Sequence, residues 1–191
     1  MKKQLSKIIL ATLIATTSIV AQDLNDYSFN SYSLVGFEGG YSTFDVENTT
    51  ASKKTSPSFG QGGIKIGAQT KNYRLFLSAR HCEVDGFDYA NTYGAEAQYL
   101  FNFSKYANLY LGVNAGKISM RMDSTEGTRT VSDTFLGGDI GVNIHLGETI
   151  DLELGARVIG LDISSTLGGV TYTFDNISTG YMSFIFKYQM D

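Results

Sequence analysis

The sequence predicts an all-β fold in which eight antiparallel strands run up and down and close into a barrel. Three observations predict it. Apolar and polar residues alternate at period two in eight separate segments, as strands with one apolar and one polar face must. The connections between those segments alternate between short and long, the pattern of a meander whose long loops all lie at one end. The 191 residues include 21 Gly, 12 Tyr and 12 Phe but a single Pro, with only 18% charged residues, a composition that folds rather than staying disordered. One domain is expected at this length.

Taken in order, the first strand spans about Leu34 to Val46, with Val35, Phe37 and Tyr41 opposing Gly36, Glu38, Gly40 and Ser42. The second, about Phe59 to Gln69, sets Ile64, Ile66 and Ala68 against Lys65 and Gly67. The third, about Tyr73 to Cys82, sets Tyr73, Leu75, Leu77 and Ala79 against Arg74, Ser78 and Arg80, with Phe76 out of pattern. Tyr93 to Phe101 oppose Gly94, Glu96 and Gln98 in the fourth, and Leu109 to Ala115 oppose Tyr110, Gly112 and Asn114 in the fifth. The sixth is the cleanest: Leu136, Ile140, Val142, Ile144 and Leu146 alternate with Gly137, Asp139, Gly141, Asn143 and His145. The seventh sets Ile150, Leu152, Leu154, Ala156 and Val158 against Asp151, Glu153, Gly155 and Arg157. The eighth carries Met182, Phe184, Phe186 and Tyr188 against Ser183, Lys187 and Gln189, with Ile185 on the wrong face.

Short turns are expected at Thr70–Asn72, Asn102–Ala107 and Gly147–Thr149, and long polar loops at about Glu47–Ser58, Glu83–Asn91, Arg121–Asp133 and Ser164–Ser178. Closure of the meander removes the exposed edges that would otherwise pair with other chains.

Alternation alone does not say which face is inside. A soluble barrel would fill its interior with the apolar face, around a ligand, as lipocalins do; a transmembrane β-barrel would turn that face outward to lipid. Two features favour the transmembrane form. Glycine crowds the polar face, giving room for long charged side chains in a tight interior. Aromatic residues gather near strand ends (Tyr41, Phe59, Tyr73, Tyr93, Tyr99, Phe101, Phe135, Tyr188), where bilayer interfaces would lie. With that facing, Glu38, Glu96, Asp139 and Glu153 share the lumen with Lys65, Arg74, Arg80 and Arg157. Eight strands leave space only for their own side chains. The expectation is therefore a charge-plugged lumen, with Glu38 beside Lys65 and Glu96 beside Arg74 or Arg80 on neighbouring strands.

Residues 1–21 read as a secretory signal: Lys2, Lys3 and Lys7 precede an apolar run from Ile8 to Val20, and Ala21 offers a small residue for cleavage. Residues 22–33 are then a short periplasmic segment and 34–191 the barrel. Removing the leader leaves 12 Lys and Arg against 19 Asp and Glu, a formal charge of −7. Such a chain repels phosphate, which argues against nucleic acid. Cys82 has no second cysteine to pair with, so no intrachain disulfide forms.

An enzyme needs a nucleophile, base and orienting acid together. His81 and His145 fall at opposite ends of the barrel, so no catalytic residues are assigned; no metal or cofactor is expected either.

The chain's closing segment, Tyr181-Met-Ser-Phe-Ile-Phe-Lys-Tyr-Gln-Met-Asp191, together with the leader and the eight alternating segments, resembles the small bacterial outer-membrane barrels of the opacity-protein, OmpX and OmpA-barrel type. The resemblance implies an outer-membrane location and implies that Met182, Phe184, Phe186 and Tyr188 form the signal read by the barrel-assembly machinery. It implies contact with outer-membrane lipid and lipopolysaccharide, and a monomer. The four long loops would face outward, as an adhesive surface or as a solvated rim. A lipid A-modifying enzyme and a soluble lipocalin-like binder are the alternatives.

Overall fold

The computed structural model describes residues 31–48, 53–84, 87–124, 127–167 and 170–189. The expected leader, most of the segment that follows it, and Met190 and Asp191 lie outside them. All the regular structure described is strand: β1 (Tyr32–Asn48), β2 (Lys53–Thr55), β3 (Ser58–Gln69), β4 (Tyr73–Val84), β5 (Phe87–Asn102), β6 (Ala107–Ser124), β7 (Gly127–His145), β8 (Ile150–Leu167) and β9 (Val170–Gln189). Each long strand pairs antiparallel with the next, and β9 returns to β1, from Tyr32↔Gln189 to Asn48↔Tyr172. Eight long strands thus close a barrel; β2 is a three-residue addition beside the far end of β1.

The short turns expected from sequence are present. Thr70 N–H donates to Tyr73 O, and Leu146 N–H donates to Ile150 O, each closing a tight reversal. They lie at the same end as Tyr32 and Gln189, called here the terminal end. The opposite end departs from expectation. Where long loops were predicted, strands continue: β6 and β7 pair up to Ser124↔Gly127, β8 and β9 up to Leu167↔Val170, and β4 and β5 up to Val84↔Phe87. The barrel also starts at Tyr32 rather than Leu34.

The facing explains the missed strands. Near the terminal end the apolar residues point outward: Phe37, Ile64, Leu77, Leu111 and Ile140 are all more than half exposed. Toward the hairpin end the pattern inverts. Phe44, Phe59, Ile118, Met120, Phe135, Leu161 and Phe174 pack inside as one apolar layer, Phe44 stacking on Phe59 with ring centroids 4.8 Å apart. Outside them stand polar residues, among them hydroxyl pairs such as Thr43–Ser58 and Ser119–Ser132. Phe59 and Phe135, read from sequence as interfacial aromatics, are therefore interior residues, whereas Tyr41, Tyr73, Tyr93, Tyr99, Phe101 and Tyr188 are exposed.

Bulges interrupt the ladders at this level, between Phe44 and Val46, Cys82 and Val84, and Gly160 and Ile163. Each bends its strand and raises the local twist. The β7–β8 ladder ends at Leu136↔Gly160. Beyond it β7 pairs only with β6, and β8 only with β9, among the described residues. Nine further residues carry β7 about 30 Å along its axis past that point.

Interior glycines let the wall close tightly. A Cβ on Gly141 would collide with Leu154 O and the Tyr110 hydroxyl, and one on Gly155 with that same hydroxyl. The outward Gly39 and Gly62 have nothing within 4 Å.

Candidate functional site: a lumen of interlocked charges

Period-two alternation puts every second residue of each strand into the lumen, and in the terminal half those residues are charged. Glu38, Lys65, Arg74, Arg80, Glu96, Asp139, Glu153 and Arg157 are all buried there, together with Asp151 and Lys187. Five acids thus meet five bases, a balance that low-dielectric burial demands.

Nine of the ten form a continuous chain of alternating sign. The Glu38 carboxylate accepts from Arg157 Nη1 at 2.9 Å, from Arg157 Nη2 at 3.2 Å and from Arg80 Nε at 2.7 Å. Arg157 Nη2 also reaches Glu96 at 3.4 Å, and Arg80 Nη2 donates to Glu96. Lys65 Nζ lies 3.4 Å from Glu38 and donates to Glu153. Glu153 in turn accepts from Arg74 Nη1 at 3.0 Å, and Arg74 Nη2 lies 3.4 Å from Asp151. Asp151 ends the chain, accepting from Lys187 Nζ at 2.6 Å and from Asn143 at 3.0 Å, with His145 Nδ1 at 2.8 Å.

Guanidinium groups suit this arrangement because a rigid fork holds two carboxylates in one plane. Aromatic faces supply further contacts to the cations. Arg157 stacks on Tyr181 at 4.3 Å, and Lys65 lies 5.0 Å from the Phe76 ring centroid. Phe76 and Ile185, the two residues out of pattern in the sequence, are thus interior and pack with Leu34 beside these cations.

Asp139 differs from the rest. No base lies within ion-pair distance of it among the described residues; Gln98 Nε2 donates to it at 2.9 Å and Asn114 Nδ2 at 3.2 Å. Both amides turn their N–H groups to the carboxylate, which leaves their oxygens without a protein partner. Of the pairs expected from sequence, Glu38 with Lys65 and Glu96 with Arg80 are present. Arg74 does not meet Glu96; it crosses the lumen to Glu153 and Asp151 on β8.

Asp151 and Lys187 were missing from the expected network. Their place on the polar face was the available signal, but both stand near strand ends, where a side chain can equally reach water.

Of the residues expected to form an assembly signal, Met182, Phe184 and Tyr188 are exposed on the outer face of β9, and Phe186 is partly so, its ring edge-on to Phe37 at 6.3 Å. The two histidines remain apart. His81 Nδ1 contacts Asn91 at 2.7 Å toward the hairpin end, while His145 sits at the terminal end.

A closed antiparallel barrel with an apolar exterior and a charged interior is a membrane-spanning barrel. The chain belongs to the family described as outer membrane protein beta-barrel domain, whose model matches residues 9–188. No curated protein matches it by sequence. Among solved structures it is similar to Neisserial surface protein A, with 16% identity over 83% of this chain and 97% of that one, at a TM-score of 0.63. The N-terminal β-barrel domain of Pseudomonas aeruginosa OprF matches at 14% identity over 83% of this chain and 98% of that one, TM-score 0.58. OprG from Pseudomonas aeruginosa matches at 14% identity over 84% and 97%, TM-score 0.55. At these identities the likeness is one of fold. The protein is an eight-stranded barrel of the bacterial outer membrane, which removes the soluble, lipocalin-like alternative.

Proposed function

We propose that this protein is a closed structural barrel that does not conduct, and that it presents its hairpin end as an interaction surface outside the cell. The observation that carries the reading is the stacking of two different obstructions in one lumen. Nine charged side chains interlock across the terminal half, and an apolar layer from Phe44 to Ile177 fills the bore above them. A permeating ion would have to break buried ion pairs and then cross a layer that offers it no ligands.

The outward direction follows from the division of labour in small barrels, with short turns toward the periplasm and longer excursions outside. Beyond Leu136 and Gly160 β6–β7 and β8–β9 share no backbone ladder among the described residues and continue as two hairpins, which gives a partner two polar faces on a rigid frame. Adhesion to a surface ligand is the role proposed for them. Lipid and lipopolysaccharide surround the barrel on this reading, the β9 signal engages the assembly machinery, and the protein acts as a monomer. We read it as non-catalytic, because each histidine is engaged by a neighbour at its own end of the barrel.

Planar bilayer recording tests the closed lumen. Purified folded protein should show no steady conductance above the bilayer background; a large, stable open channel would overturn the reading. Protease added to intact cells tests the direction. Cleavage in the hairpins is expected, and cleavage at Lys71 or Lys105 in the short turns would reverse it.

A further inference from the structure

Between the charged chain and the apolar layer the lumen holds a cavity of about 20 Å³. Six residues with polar side-chain atoms line it: Gln61, Arg80, Cys82, Thr92, Arg157 and Thr179. Four of them are engaged by protein. Gln61 accepts from Ser42 and donates to Glu38, Arg80 is held by Glu38, Glu96 and Ser78, Cys82 donates to Ala90 O, and Thr179 pairs with Ser42. The remaining two each keep one buried atom without a protein partner, Arg157 Nε and Thr92 Oγ1. Arg157 is 4% exposed and Thr92 9%.

A guanidinium N–H left unbonded in such a place is expensive, and native interiors almost always satisfy it. The cavity's size and charge decide by what. About 10–15 Å³ of such space admits one water molecule, so 20 Å³ takes one and excludes polyatomic ligands. The two guanidiniums at the wall already face Glu38 and Glu96, so little positive charge is left to hold a halide. The apolar part of the wall, including Ile118 and Phe135, would leave an ion poorly solvated.

We propose that this cavity is a binding site for a single structural water, which accepts from Arg157 Nε and hydrogen-bonds Thr92 Oγ1. The water completes the guanidinium's hydrogen bonding, with Nη1 and Nη2 on the carboxylates and Nε on the water, and so fixes its plane across the lumen. It also marks the top of the polar lumen, directly beneath the dry layer. The site does not depend on whether the barrel conducts.

The test is water-to-amide cross-relaxation at the arginine Nε–H signals of ¹⁵N-arginine-labelled protein in nanodiscs. The chain has five arginines; Arg74 Nε and Arg80 Nε donate to Gln69 and Glu38 and serve as internal references. The Arg157 Nε–H should show a direct cross-peak to a long-lived water, and Thr92→Val, close to isosteric, should reduce it several-fold while leaving heat-modifiable gel migration intact. Thr92→Ser, which keeps the hydroxyl, should retain it. Absence of the cross-peak in the wild type overturns the site. An unchanged cross-peak in Thr92→Val removes Thr92 from it and overturns the arrangement proposed. A shift of the Arg157 signal that saturates with added bromide would show an anion instead of water.

Discussion

In the terminal half of the barrel, Ile64, Leu77, Leu111 and Ile140 stand outward while Glu38, Lys65, Asp139 and Arg157 stand inward; in the hairpin half, Ser132 and Thr130 stand outward while Ile118, Phe135 and Phe174 stand inward. The same strands run through both halves, although bulges interrupt three ladders between them and the β7–β8 ladder ends there. What changes is the solvent outside. Lipid requires apolar side chains on the outer face and so leaves the lumen for polar groups. Water outside permits the ordinary arrangement, with an apolar core that the terminal half cannot have. The molecule is in effect a membrane barrel with an extension of opposite facing, and the filling of its lumen changes from ion pairs to apolar side chains where the outer face changes from apolar to polar.

The sharpest way to break this comparison is to change neighbours on β7 that face opposite ways. Phe135→Ala empties part of the apolar layer and should destabilise by about 3–5 kcal/mol, whereas Leu136→Ala, facing out, should cost under about 1.5 kcal/mol. Urea unfolding in lipid vesicles measures both. Equal losses would mean that Phe135 has no packed environment.

The next test applies one chemistry to the two exteriors. Ile140→Arg places a charge in the lipid-facing band and should lose roughly 2–4 kcal/mol near the bilayer midplane, while Ser132→Arg should stay within about 0.5 kcal/mol of the wild type. Folded yield on heat-modifiable gels reads the difference directly.

A smaller effect is expected in the ion-paired lumen. Glu96→Gln keeps the size, removes a partner from Arg80 and Arg157, and should lower stability by about 1.5–3 kcal/mol. Adding Arg80→Gln should restore only part of it, since Arg80 also serves Glu38. Full additivity of the two losses would indicate that the pair is not coupled.

The smallest contrast is between glycines. Gly141→Ala meets Leu154 O and Tyr110 and should cost about 1–3 kcal/mol by overpacking, whereas Gly39→Ala, with open space around it, should be nearly silent. The sequence offers no reason to separate them, because the neighbours a methyl group would meet are set only by the closed barrel.

Much of the terminal half was legible because lipid imposes a strict rule. Eight strands and their short turns follow from alternation, and the glycine-crowded polar face sets the facing and with it eight of the ten lumen charges. The hairpin half was harder to read for a physical reason. Where Ala115 faces out and Ile118 faces in, the apolar phase slips by one residue. A reader following one face sees the pattern stop, although the strand continues. Phe59 and Phe135 mark the same slip on β3 and β7, and so resembled an interfacial girdle. Partners across the lumen were also hidden. Cross-strand logic reaches only adjacent strands, yet Arg157 on β8 grips Glu38 on β1, and Arg74 on β4 grips Glu153 on β8. Such pairs become visible only once the sheet is closed.

The inversion itself is measured most directly by spin labels along the outward face of β7, at Ile144, Ile140, Leu136, Thr134, Ser132 and Thr130, in a background where Cys82 is replaced by Ala. Collision with oxygen reports lipid and collision with a nickel chelate reports water. Labels at Ile144, Ile140 and Leu136 should favour oxygen, and those at Ser132 and Thr130 the nickel chelate, with the crossover at Thr134. Continued lipid exposure through Thr130, or aqueous access at Ile140, would contradict the account.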